Sequence, residues 1–85
     1  MNEAQASDWT AIALKPPPEH TPVWLYSEGY GVWMGDRFYD DEGGWSYARC
    51  YSLPVWIGEK WLYETEWDDD YVPTHWMPLP KRPKP

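Results

Sequence analysis

From residue 23 onward, apolar and polar positions alternate with the period of two that marks β-strands, and no stretch keeps a helical period beyond a turn or two. Val23-Trp24-Leu25-Tyr26 reads as a strand with Val23 and Leu25 on one face and Trp24 and Tyr26 on the other. Ser27-Glu28-Gly29 reads as a turn, followed by Gly31 to Met34 and by Arg37 to Asp40. Between those two runs, Gly35-Asp36 has the Gly-X form of a two-residue type II′ hairpin tip. Asp41-Glu42-Gly43-Gly44 is the next turn, and Trp45 to Tyr51 the next strand. Pro54 predicts an edge position or a strand start, Glu64 to Asp70 an acidic loop, and Tyr71-Val72-Pro73 extended chain. Upstream, Trp9 to Leu14 predicts a short strand or anchored segment, closed by the stiff Pro16-Pro17-Pro18 run.

Val32-Trp33-Met34-Gly35-Asp36-Arg37-Phe38 matches Val55-Trp56-Ile57-Gly58-Glu59-Lys60-Trp61 position by position, which suggests two related hairpins with Gly at each tip. The pattern therefore predicts an all-β fold: a small, strongly bent antiparallel sheet or open SH3-like barrel of five to seven short strands. Residues 1–8 are expected to be disordered, 9–80 to form a single β domain, and 81–85 to be a basic, Pro-rich tail.

Composition sharpens the picture. Eight Trp, seven Tyr and one Phe make 19% of the 85 residues. A chain of this length has room for only a small core, and each buried aromatic fills a large part of it. Sixteen aromatics exceed that need, so some are expected on the surface, where aromatic patches mark binding sites. By alternation, Trp24, Tyr26, Trp33, Tyr39 and Trp56 share the face opposite Val23, Leu25, Val32, Phe38 and Ile57. They form a candidate platform for a peptide, a carbohydrate or a hydrophobic protein patch.

The formal net charge of −7 conceals an asymmetry, because residues 1–80 hold 14 acids against 4 bases. Such a field repels nucleic-acid phosphates and suits a basic protein surface. The acids cluster as Asp36, Asp40, Asp41 and Glu42 after one expected tip, and as Glu59, Glu64, Glu66, Asp68, Asp69 and Asp70 after the other. Carboxylates in a row on a β scaffold could imitate nucleic acid and occupy the basic groove of a nucleic-acid-binding protein.

Enzyme chemistry finds no foothold. There is no Gly-rich phosphate loop, no nucleophile elbow and no His-Glu-x-x-His. Cys50, His20 and His75 are too dispersed for zinc, and Asp68-Asp69-Asp70 lacks the spacing of a calcium loop. Neither a metal nor a cofactor is expected, and Cys50 reads as a small buried hydrophobe. With no signal-peptide pattern and no long apolar run, a cytoplasmic setting without membrane contact is expected.

At the C-terminal end, Thr74-His75-Trp76-Met77-Pro78-Leu79-Pro80 resembles the closing motif of a family of small phage and prophage proteins, the domain of unknown function five hundred and fifty-one. Trp9, the Pro16–Pro18 run with Glu19, and the strand Val23 to Tyr26 fit the same resemblance, which spans about residues 9–80. It implies a viral or prophage setting in a host cytoplasm, and no activity. In that setting the acidic surface suggests an inhibitor of a host defence protein, such as a CRISPR or restriction effector. A self-associating structural protein, for instance a homodimer, is a third expectation. Within the motif, Trp76 and Leu79 are expected to plug the core, and His75 to bond a neighbouring backbone group.

Overall fold

A computed structural model describes residues 8–80. The expected basic tail, 81–85, lies outside the described residues, as does the expected disordered start, 1–8, apart from Asp8, which is exposed in a turn. Among the described residues there are eight strands: β1 (Thr10–Ala11), β2 (Val23–Ser27), β3 (Gly31–Asp40), β4 (Gly44–Cys50), β5 (Val55–Ile57), β6 (Lys60–Leu62), β7 (Thr65–Trp67) and β8 (His75–Pro78). The all-β expectation holds. Six strands form one open antiparallel sheet in the order β1-β8-β2-β3-β4-β7, and β5 pairs with β6 apart from it.

β3 is where sequence and structure diverge. Gly35-Asp36, expected at a hairpin tip, lies mid-strand and buried. The strand pairs on both sides there, with Val23 opposite Gly35 on one flank and Arg49 and Ala48 opposite Gly35 and Asp36 on the other. A ten-residue central strand outweighs the local turn preference of one dipeptide. Glycine is needed at position 35 for another reason: a Cβ there would overlap the carbonyl oxygen of Ala48 and come within 2.8 Å of Leu25 Cδ1. The real reversals are the three-residue loops 28–30 and 41–43, set by the pairs Ser27–Gly31 and Asp40–Gly44.

The second proposed tip does turn. Ile57 pairs with Lys60 around Gly58-Glu59, and Gly58 has φ 65°, the positive value required at the first loop residue of a type II′ turn. The internal repeat is thus one of sequence only, since its two copies adopt different backbones. The β5–β6 pair is better described as an extension of the β4–β7 ladder. Cys50 opposes Thr65, Tyr51 N–H donates to the Glu64 carbonyl at 3.1 Å, and pairing resumes at Val55–Leu62 after a bulge at 52–54. Residues 64–70, expected to be a loop, therefore contain the edge strand β7.

Register also settles the faces. The three-residue loop 28–30 places Leu25 beside Trp33 and Tyr26 beside Val32. Trp33 and Tyr39 consequently share the face of Val23 and Leu25, while Val32 and Phe38 join Trp24 and Tyr26 on the other. The expected division of aromatics onto one face is corrected. Val32 and Ile57, expected inward, are 53% and 54% exposed.

The core is small: Val23, Leu25, Tyr71 and Trp76, with Ile12, Tyr30 and Tyr47 packed against it. The Pro-containing segment covers its flank. Pro17 and Pro22 are fully buried, Arg37 Nη1 donates to Pro17 O at 3.2 Å, and Trp76 Nε1 donates to Lys15 O at 2.8 Å. Trp76 plugs the core as expected, whereas Leu79 is only partly buried. His75 Nδ1 meets the Thr74 hydroxyl at 2.8 Å, so its bond is to a side chain and not to backbone. The molecule measures 44 × 33 × 20 Å, the thickness of one sheet with a partial second layer.

Candidate binding surface

Residues expected to form one acidic surface have different fates. Asp36 is 6% exposed and faces the interior, where Tyr63 O–H donates to its Oδ2 at 2.8 Å. Its Oδ1 is buried without a hydrogen-bond partner. Burial pushes the Asp36 carboxyl above its ordinary range, and the Tyr63 bond and the charge of His20 pull it back only in part. It cannot be part of an acidic surface. The sequence missed it because Asp is favoured in turns and depleted in strands, so Gly35-Asp36 reads locally as a turn.

Asp68 is half-buried and already engaged, with Arg49 Nη2 at 3.4 Å and Tyr30 O–H at 3.2 Å. Arg49 itself sits in an aromatic cage. Its guanidinium carbon lies 4.4 Å from the Tyr30 ring centre, 5.0 Å from Trp33 and 5.3 Å from Tyr71. Arg37 stacks over Trp45 at 3.6 Å in the same manner. Two of the four bases in residues 1–80 are therefore held by the protein's own rings.

Of the remaining acids, Asp41, Glu42, Glu59, Glu64, Glu66, Asp69 and Asp70 are exposed and Asp40 is half-buried. They are not at equivalent places. Asp40 ends β3, Asp41 and Glu42 lie in the β3–β4 loop, and Glu59 lies at the β5–β6 tip. Glu64, Glu66, Asp69 and Asp70 gather along β7, where Arg49, Glu66, Trp67 and Asp68 to Asp70 border an open depression of about 460 Å³.

The aromatic candidates are similarly split. Tyr26, Trp33 and Tyr39 are 37%, 40% and 54% exposed, whereas Trp24 is half-buried. Trp56 is half-buried and packs edge-on to Trp61, with ring centres 5.3 Å apart. Tyr26 is flanked edge-on by Trp9 and His75. A shallow hollow of about 290 Å³ is bounded by Trp24, Val32, Met34, Tyr51, Leu53 and Pro54.

Two aromatics outside the expected set complete the surface. Tyr51 is 64% exposed beside Glu64, and Trp67 is 51% exposed with its ring edge-on to Phe38 at 5.9 Å. The signal for Trp67 was present in Glu64-Thr65-Glu66-Trp67, which reads as an edge strand once it is not assigned to a loop, and that for Tyr51 in its place at the end of the Trp45 to Tyr51 run. Cys50 is buried, as expected, and lack of solvent raises its thiol to about 12, which withholds the thiolate that nucleophilic chemistry needs.

No family model, curated protein or solved structure matches the chain, so the resemblance over about residues 9–80 rests on the sequence motifs that carry it. Among the described residues, no group of His, Cys, Asp and Glu is placed to hold a metal ion, and no helix is long and apolar enough to cross a membrane.

Proposed function

We propose that the chain is a non-catalytic binding protein that takes a protein partner through a surface both aromatic and acidic, centred on β4 and β7. One observation carries this reading. Among the described residues, thirteen large hydrophobic side chains are exposed, against six hydrophobic residues that are buried. Large apolar side chains exposed near one another mark interaction sites, and of these thirteen, Trp45, Tyr51 and Trp67 stand on or beside β4 and β7. The acids around Tyr51 and Trp67 state the partner's chemistry: apolar residues interleaved with Lys or Arg.

The nucleic-acid mimic is the second reading, and the exposed run Glu64, Glu66, Asp69 and Asp70 favours it. In that case the target is the basic groove of a nucleic-acid-binding protein, such as a host defence effector in a phage setting. Calorimetric titration of the full chain separates the two, using matched peptides that carry Lys with apolar residues, Lys with Ser, or Glu with apolar residues. Selective binding of the first, weakened by salt and by Tyr51→Ala or Trp67→Ala, supports the mixed surface. Equal binding of both Lys peptides, insensitive to Tyr51 and Trp67, supports the mimic. No binding of any peptide counts against both.

A further inference from the structure

The backbone conformation of the partner follows from where this surface lies. β7 pairs with β4 on one side, and among the described residues no strand pairs with its other side. Because Tyr51 N–H reaches Glu64 O, the backbone groups of residues 64 and 66 face β4. Ladder alternation then turns the N–H and C=O groups of Thr65 and Trp67 outward. Natural sheets blunt such edges with short strands, charged side chains, Pro or bulges. β7 is short and carries Glu66 but has no Lys, Pro or bulge over Thr65-Glu66-Trp67, so its charge disfavours another acidic edge while its backbone groups stay open to a basic strand.

We infer that the outer edge of β7 is a β-augmentation site for an extended peptide segment alternating Lys or Arg with apolar residues. This rests on the protein-binding reading above. Both faces of an added strand would be matched. On one face, Glu64 and Glu66 stand two residues apart, roughly 6.6 Å along a strand. Arg49 lies across from Glu66 but is already bonded to Asp68 and stacked on Tyr30, and the exposed Asp69 and Asp70 extend the negative field past the strand end. On the other face, the exposed Trp67 indole, backed by Phe38, offers an apolar seat. Backbone bonds would supply affinity and the alternation would supply specificity. A second copy of this chain fits poorly, since antiparallel β7–β7 pairing would bring Glu64 and Glu66 against their own counterparts, and like charges across a ladder destabilise it.

The experiment uses the full chain and a ten-residue peptide alternating Lys and Val, alongside the same peptide N-methylated at alternate amides so that it cannot pair. Thr65→Pro removes an outward N–H and leaves the inward bonds of residues 64 and 66 in place. The expected result is binding weakened about tenfold or more by Thr65→Pro and by peptide N-methylation. Hydrogen exchange at the Thr65 and Trp67 amides should slow when the unmodified peptide is present. Glu64→Lys with Glu66→Lys should shift preference to a Glu-Val peptide. If affinity is unchanged by Thr65→Pro and by N-methylation while Tyr51→Ala abolishes it, the edge assignment is overturned and the binding function stands. Concentration-dependent dimerisation that Thr65→Pro removes would make a second copy the occupant and would also overturn it.

Discussion

Gly35→Ala tests the fold at the point where sequence pattern and structure disagree most. In an ordinary strand interior, Gly→Ala stabilises by about 0.5–1 kcal/mol, because the unfolded chain loses freedom. Here the new methyl would overlap the Ala48 carbonyl oxygen and press on Leu25 Cδ1. Leu25 is completely buried at the centre of the core, and Ala48 is held in the β4 ladder, so neither has room to withdraw. Overpacking of this kind costs about 1–3 kcal/mol, and a backbone atom as the obstacle favours the upper part of that range. The net expectation is a loss of about 2 kcal/mol, which for a domain this small lowers the melting midpoint by roughly 8–16 °C.

Urea unfolding followed by tryptophan fluorescence measures this loss directly. Gly29→Ala is the matched control, since its Cβ would meet no atom within 4 Å, and it should stay within about 0.5 kcal/mol of the parent. A Gly35→Ala protein as stable as the parent, or more so, would refute the close approach of β3 to β4 and with it the central position of β3.

Three further outcomes follow from the interior. Asp36 has its carboxyl raised by burial, so its contribution to stability is full below the ordinary carboxylate range and is lost as pH rises through the raised value. Asp36→Asn should therefore flatten the pH dependence of the urea midpoint, whereas Tyr63→Phe, which removes the bond holding the charged form, should cost about 1.5–3 kcal/mol at neutral pH and much less in acid. Trp76→Ala, which empties a buried core position tied to Lys15, should cost about 3–5 kcal/mol, measured by the same unfolding curves, and Trp76→Phe clearly less. Cys50, buried and with its thiol raised to about 12, should resist a disulfide reagent in the folded state at pH 8 and react promptly in denaturant.

Period two was legible along most of the chain because side-chain alternation is imposed by the pleat itself. The strands expected at Val23 to Tyr26 and Trp45 to Tyr51 followed from that pattern, the Gly58-Glu59 turn from its Gly-X form, the burial of Cys50 from its being a lone cysteine, and that of Trp76 from the Pro-bounded closing motif. Register was not legible. It depends on loop length, and the three residues at 28–30 shift pairing parity so that Leu25 meets Trp33. A single such shift moves every later side chain to the other face, which is why the expected one-sided aromatic platform divided. Asp36 was misplaced for a related reason: Gly35-Asp36 satisfies a turn locally, and only pairing on both flanks shows that it is a strand centre.

The acidic face and the aromatic surplus are linked through the two arginines. Tyr30, Trp33 and Tyr71 surround Arg49, and Trp45 lies under Arg37, so part of the surplus serves as internal seats for cations in a molecule too thin for a deep core. Arg49 still lies across from Glu66 and binds Asp68, and the exposed Glu64, Asp69 and Asp70 outnumber it beside β7. A sheet edge carrying such a field repels its own copies and attracts a basic strand. On the proposed function, edge protection against self-association and recognition of a basic partner are one physical property of β7: replacing its acids by Gln should remove both together, whereas replacing them by Lys should remove the recognition and keep the protection.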